Sequence, residues 1–381
     1  MATNKPKGTE DLIGNDAIMW SYMREAAEEA FTAYGYIPVE IPTFEQADVF
    51  VHGLGTSTDV VRKEMFTVLS PDGYAKVSEG RADELKADQR LALRPEGTAG
   101  TVRALIEHNL VPQGAAPAKL WYAGSMFRAE RPQKGRLRQF HQIGAECLGS
   151  TEPTADAEII IMLMRFFEKM GVPMGKTRLL INSMGDDNCR PAYRESVRQF
   201  ILDHEGEMCE ECRRRADTNP LRAFDCKNEA CAHVMENAPK ITDHLCDDCR
   251  EHYEQVKALL DAAGVKYIED PTLVRGLDYY TRTVFEVQVV EGMGSQSAIG
   301  GAMTSSLKSR AAVPRRVSAS LLALSAWCLP LKRLARSPIL RNASTAISPA
   351  LIRRFALRPS IWCAPPAMLG FRSRWITRAR A

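Results

Sequence analysis

FRAERPQKGRLRQFHQIGAE, residues 127–146, is the stretch on which the reading of this chain turns. Five cations (Arg128, Arg131, Lys134, Arg136 and Arg138) fall within eleven residues, with Phe and Glu groups between and around them. A plain surface hairpin has no need of that density. A polyphosphate site does, because guanidinium forks match phosphate oxygens in a bidentate way. Read as strand, loop and strand, the stretch puts Arg128 and Glu130 on one face and hangs Lys134 and Arg136 in the loop. Arg128 then suits an inner phosphate and Arg136 the outer ones. Gln142 and Glu146, four apart, share a strand face near Phe140, which suits a small polar ligand with a ring. The alternative is a salt-bridged hairpin without a ligand.

Two further segments carry chemistry. In LRPEGTAGTVR (93–103) a strand delivers Glu96, and Gly97-Thr98-Ala99-Gly100 turns into a helix. A carboxylate beside a small-residue turn suits an ammonium group; the plainer reading is a helix cap with a solvated Glu. In VRGLDYYTRT (274–283) Arg275 precedes a glycine and two tyrosines, Tyr279 and Tyr280. Arginine stays protonated and acts beside phosphate as a fixed electrophile. At least one of the tyrosines reads as strand core.

Around these segments the pattern is α+β. Residues 15–34 have helical periodicity, with Asn15 as cap and Gly35 as terminator. YIPVEIPTFE (36–45) reads as a strand with Pro42 inside it, the mark of an edge or interface. KVSEG (76–80), RLALRPEG, KLWYAGSMFR and RQFHQIGAECLG read as strands of an antiparallel sheet built from hairpins. Residues 154–170 form an apolar helix with Thr154 as N-cap, and TRLLINSMG (177–185) is another strand. Residues 186–263 are helical, charged and cysteine-rich, and strands return over 265–290. The expected organisation is one α+β domain in two parts (1–185 and 264–301), interrupted by a helical insertion (186–263) and followed by an aberrant tail (302–381).

At 381 residues and 45% apolar content the chain can bury large cores. No apolar run approaches the ~20 residues of a membrane span, and the N-terminus lacks an apolar signal core, so the expected address is the cytoplasm. The net charge of +3 hides an asymmetry. Of 50 Lys and Arg, 15 lie past Gly301, where there is no Asp or Glu; the first 301 residues hold the other 35 against all 47 acids, a net of −12. A folded surface mixes both signs, so the tail is either a nucleic-acid-binding arm or a sequence never selected to fold.

Ten cysteines in a chain of cytoplasmic character argue against disulfides. Six form Cys209-x2-Cys212, Cys226-x4-Cys231 and Cys246-x2-Cys249. The two Cys-x2-Cys pairs have ligand spacing for tetrahedral Zn2+, most simply as Cys209, Cys212, Cys246 and Cys249, with His233 and His244 in reserve. The alternative is a set of free thiols.

Taken together, these segments resemble bacterial histidyl-tRNA synthetase, a class II aminoacyl-tRNA synthetase. KGTEDL (7–12) resembles that family's N-terminal signature, YGYIPVEIPTFEQADVF (34–50) its motif 1, residues 127–146 its motif 2, and LVRGLDYYTRTVFE (273–286) its histidine-specific motif. The resemblance runs from residue 5 to about 301. It implies the class II antiparallel sheet flanked by helices, activation of L-histidine by ATP with Mg2+, transfer to tRNA(His), and a homodimer through motif 1 around Pro42. It implies that Arg128 holds the α-phosphate, Glu130 the adenine end and Arg136 the outer phosphates. Glu96, Gly97 and Thr98, with Gln142, would take the α-amino group; Glu146, Tyr279 and Tyr280 would read the imidazole. Arg275 would sit by the α-phosphate and carboxylate. The insertion domain of the family touches tRNA, so Arg213 to Arg215 are candidates for phosphate contacts. A non-aminoacylating relative, the regulatory subunit of ATP phosphoribosyltransferase, is the alternative; it lacks the insertion and tends to lose the polar histidine residues. A tRNA-binding module using the basic tail is a third.

The resemblance breaks at Gly301. Family members continue with a GGGRYD strand and motif 3, ending in a GFALGFER-like run, and then an anticodon-binding domain. Gly301 to Trp327 can be back-translated so that the neighbouring frame, one base earlier, reads GRYDVLVEEPGGRPTPGLGFALGFERM. Trp375 to Ala379 hides MDYQG by the same shift. The tail is therefore expected to be a frameshift product that lacks motif 3, to be poorly ordered, and to leave the chain inactive or barely active.

Overall fold

The computed structural model describes residues 4–56, 58–112, 115–132, 136–172, 174–274 and 280–289, and the backbone of 298–305, 317–318 and 324–325. Helix α1 (Asn15–Thr32) leads into β1 (Ile37–Pro38) and β2 (Phe44–Gln46), followed by α2 (Ala47–Leu54), β3 (Thr67–Val68), α3 (Pro71–Ser78), β4 (Leu91–Leu93) and α4 (Thr98–Glu107). The long hairpin β5 (Ala118–Phe127) and β6 (Gln139–Leu148) precedes α5 (Pro153–Lys169) and β7 (Thr177–Ser183). The helical segment holds α6 (Arg190–Asp203), α7 (Glu210–Thr218), α8 (Glu229–Met235) and α9 (Asp247–Ala262). Strands β8 (Ile268–Glu269), β9 (Tyr280–Val289), β10 (Ala298–Ser305), β11 (Val317–Ser318) and β12 (Leu324–Ser325) follow.

The α+β expectation holds, but the strands divide among three sheets, ordered β1-β5-β6-β12, β11-β10-β9-β7-β8 and β2-β4-β3. Two outer pairs, β1–β5 and β7–β8, are parallel. Parallel neighbours require long crossovers, and helices α2–α4 and α6–α9 supply them. YIPVEIPTFE is not one strand. It breaks at residues 39–43, and its two ends join different sheets, β1 to β5 and β2 to β4. KVSEG is helical, lying across the end of α3, whose start is fixed by Ser70 accepting a hydrogen bond from the Gly73 N–H and by Pro71 in the first turn. Asn15 and Thr154 lie inside their helices; the cap positions are Gly14 and Glu152, neither with a side-chain cap bond.

Helix α5 is deeply buried. Nine of its residues are buried, including Phe166 and Phe167, and it packs against α1 and α9. Helix α9 is thus fastened to α5 and β9. His252 of α9 hydrogen-bonds the buried Asp156 of α5 at 2.9 Å, and Arg282 of β9 donates to the other His252 nitrogen at 3.2 Å. Strand β10 pairs with β9 in regular register from Ala298 to Gly301 and then slips, so that Met303 meets Tyr280. Of residues 302–381, only the backbone of 302–305, 317–318 and 324–325 is described, so the expected disorder of the tail lies mostly outside the described residues. No described helix is long and apolar enough to cross a membrane.

Candidate active site

Strand β6 forms the floor. It pairs with β5 over ten residues, with Gly124 opposite Gln142, Tyr122 opposite Gly144 and Leu120 opposite Glu146. Its two-residue period points Gln142 and Glu146 to one face, and both are buried. On that face lies the start of α4. Glu96 is a cap after all, but a buried one: its two carboxylate oxygens accept the Thr98 N–H at 2.7 Å and the Ala99 N–H at 2.9 Å. These are among the orphan donors of the first turn. Gln142 accepts from the Gly97 N–H at 3.2 Å, and the Thr98 hydroxyl donates to Glu146 Oε1 at 2.8 Å.

Tyr122, absent from the sequence reading, completes the cluster. Its hydroxyl lies 3.3 Å from Glu146 Oε1. Its ring runs between two glycines: a Cβ on Gly97 or Gly144 would come within 2.2 or 2.3 Å of ring atoms. The glycine pair is what admits the ring. The other oxygen of Glu146, Oε2, is buried with no hydrogen-bond partner among the described residues. Burial raises the Glu146 carboxyl well above the carboxylate range; the Thr98 bond opposes this and the charge of Glu96 adds to it. Glu96 is raised by burial too, against the pull of the Ala99 and Thr98 N–H groups and of Arg128. A pair of buried acids favours a cationic or N–H-bearing ligand.

The cation loop begins one residue earlier than the hairpin reading expects. Strand β5 stops at Phe127; the Arg128 N–H still bonds the Arg138 carbonyl at 2.8 Å, but the Ala129 N–H turns away to the Glu64 carbonyl at 2.7 Å. Glu130 therefore stands off the strand, while staying near Arg128, with 4.0 Å between Arg128 Nη1 and Glu130 Oε1. The Arg128 guanidinium lies over the Phe140 ring, 5.2 Å from its centre, and donates through Nε to the Pro95 carbonyl at 3.0 Å. Arg136 bonds Glu130 at 3.3 Å. An exposed pair of this kind is worth about 0–1 kcal/mol, little enough for a polyphosphate to displace. The KGTEDL segment closes the loop from outside: the Gly8 carbonyl accepts the N–H groups of Arg138 (2.7 Å) and Gln139 (3.2 Å).

Tyr280 is buried at the start of β9, and its carbonyl accepts from Arg190 at 2.6 Å. Arg275 and Tyr279, along with Lys134, lie outside the described residues.

The cysteines depart from expectation. Cys209 and Cys212 converge with Cys226 and Cys231, whereas Cys246 and Cys249 converge with Cys189 and Asp186. The mixed set of Cys209, Cys212, Cys246 and Cys249 is not formed, because each Cys-x2-Cys opens a different helix, α7 and α9. Cys189 has no cysteine two or three residues away, so spacing alone does not mark it; the Asp186-x2-Cys189 spacing is the signal the sequence offers.

The family described as histidyl-tRNA synthetase matches residues 8–309. The histidine–tRNA ligase of Anaeromyxobacter sp. strain K is 47% identical over 301 residues, covering 79% of this chain and 68% of the relative. That of Halothermothrix orenii is 43% identical, covering 79% and 67%. The crystal structure of apo S. aureus histidyl-tRNA synthetase matches with a TM-score of 0.64 and 33% identity, over 87% of this chain and 73% of that one. A Bacillus halodurans protein described as an ATP phosphoribosyltransferase regulatory subunit/histidyl-tRNA synthetase shares the fold, with a TM-score of 0.59 at 18% identity.

Proposed function

The chain belongs to the histidyl-tRNA synthetase family and is by that membership a histidine–tRNA ligase using ATP; we propose that the buried cluster of Glu96, Thr98, Tyr122, Gln142 and Glu146 is its histidine subsite. The observation that carries this is Glu146 Oε2, a buried acceptor without a partner among the described residues, set beside a second buried acid. Glu96, Gly97, Thr98 and Gln142 receive the α-ammonium group, and Glu146, with Tyr279 and Tyr280, receives the imidazole. Such a pocket rejects apolar analogues, since its own polar groups would stay unpaired.

Arg128 is pre-aimed by Phe140 and the Pro95 carbonyl and holds the α-phosphate. Glu130 meets the adenine end, Arg136 the outer phosphates, and Arg275 the α-phosphate and carboxylate. ATP enters with Mg2+ on its phosphates as part of the substrate. The histidine carboxylate attacks the α-phosphorus in line, a P–O bond forms and pyrophosphate leaves; the tRNA ribose hydroxyl then displaces AMP from the adenylate. The protein's share is positioning and charge stabilisation. Exposed Ile37 and Phe44 in motif 1, 61% and 52% accessible, support assembly as a homodimer through that segment. The regulatory alternative fits less well, because helices α6–α9 and the full polar cluster are present.

Residues 302–381 are a shifted-frame product replacing motif 3 and the anticodon domain. The end of the family match at residue 309 and the register slip after Gly301 support this reading. Histidine-dependent ATP–pyrophosphate exchange tests both parts, run on this chain and on a chain with the frame restored from Gly301. The restored chain exchanges and this chain runs at least ~10²-fold slower, as expected when a transition-state charge clamp is lost. Equal rates overturn the frameshift reading. A restored chain without histidine-dependent exchange overturns the functional one.

A further inference from the structure

We propose that the helical insertion is held together by two structural zinc centres, one of Cys209, Cys212, Cys226 and Cys231 and one of Asp186, Cys189, Cys246 and Cys249. In each set one ligand atom from every residue lies within 4.8 Å of the others. With Zn–S near ~2.3 Å, the edge of a tetrahedral site is about 3.8 Å. The Cys209–Cys226 sulfurs are 3.8 Å apart, Cys189–Cys246 3.9 Å and Cys189–Cys249 3.7 Å. Asp186 Oδ1 is 3.3 Å from the Cys189 sulfur and 3.9 Å from that of Cys246. A disulfide needs about 2.05 Å, and all eight cysteines described are free. An iron–sulfur cluster would hold its sulfurs farther apart.

Cys209 and Cys246 occupy the N-cap positions of α7 and α9, with Cys212 and Cys249 in the first turns, so each Cys-x2-Cys pair presents both sulfurs at one helix start. The Cys209 N–H donates to the Cys231 sulfur at 3.1 Å and the Asp186 N–H to the Cys189 sulfur at 3.2 Å. Gly185, at φ 60°, allows the approach: a Cβ there would lie 2.7 Å from the Cys189 sulfur. There is also a need for fastening. Helix α7 (EECRRRADT) buries only Cys212 and Ala216, and the seven-residue α8 buries Cys231, Val234 and Met235. Helices this short with so little apolar area depend on a staple. Thiolate-rich tetrahedral sets select zinc among the common divalent ions.

Elemental analysis of the full chain, purified without chelator from zinc-supplemented cells, should give about two zinc ions per chain. Cys212→Ser and Cys189→Ser should each lower this to about one, and the double variant to about none. Should a variant fail to fold, X-ray absorption on the unaltered chain decides: between three and four sulfurs per zinc at ~2.3 Å, with a fraction of one oxygen at ~2.0–2.2 Å. Zinc below about 0.3 per chain overturns the proposal. So does a single ion lost equally in Cys212→Ser and Cys249→Ser, which would reinstate the mixed set.

Discussion

Glu146 sets the chemistry of the site through its surroundings. Because its folded pKa stands above the ordinary 4.5, the folded chain retains a proton that the unfolded chain has released. That contribution to stability is complete below about 4.5 and is lost as pH rises through the folded value. Ligand-free Glu146→Gln should therefore melt at least ~2 °C above the parent at pH 8 by scanning fluorimetry, a gain that shrinks toward acid pH; a constant gain would exclude the titration. The same variant should bind histidine ~10- to 100-fold more weakly in calorimetry, about 1.4–3 kcal/mol. Gln142 and Glu146 were legible in sequence because a two-residue period alone puts them on one face. Tyr122 was not, since nothing in KLWYAGSMFR distinguishes it; only the cross-strand pairing with Gly144 reveals the slot. Gly144→Ala should cost about 1–3 kcal/mol in urea unfolding, with weakened histidine binding alongside. Unchanged stability would mean the ring has room to move.

At the scale of elements, Arg94, just past β4, ties the break between β1 and β2 to strand β5. It is 8% exposed. Its guanidinium donates to the Ile41 carbonyl at 2.5 Å and the Ser125 carbonyl at 2.8 Å, and its N–H reaches the Thr43 carbonyl at 3.0 Å. Arg94→Met would leave buried carbonyls unpaired at about 1–3 kcal/mol each, so a loss of about 2–4 kcal/mol is expected in denaturant titration. A loss under about 0.5 kcal/mol would make Arg94 incidental. Motif 1 read as one strand because its composition is strand-like throughout; the division follows from pairing with two different strands, β5 and β4, both distant in sequence. KVSEG misled for a different reason. Five residues cannot separate the two periods, and the Ser70-Pro71 helix start lies outside the window. The long apolar α5 and the ten-residue run of β6 carried enough repeats to be legible, whereas the hairpin's first strand stopped at Phe127, short of Glu130.

For the whole molecule, the proposed homodimer makes a prediction. Ile37 and Phe44 put apolar surface on the motif 1 segment, so Phe44→Glu should weaken self-association at least ~10-fold in sedimentation analysis. An unchanged association would move the interface elsewhere. The division of cysteines between two groups belongs to this scale as well. Sequence spacing shows which thiols are neighbours along the chain, but only the arrangement of α6, α7 and α9 decides which meet.

The grip of Gly8 on Arg138 and Gln139 has a practical side. The clasp on the cation loop is made by main-chain atoms of the eighth residue, at φ 88°, and any side chain there would run into Pro132 and Arg138. Displacing residue 8 therefore releases the main chain at Arg138 and Gln139. A preparation trimmed past residue 8 should keep its circular-dichroism spectrum while the loop becomes sensitive to trypsin after Arg136; Arg131, followed by Pro132, stays uncut.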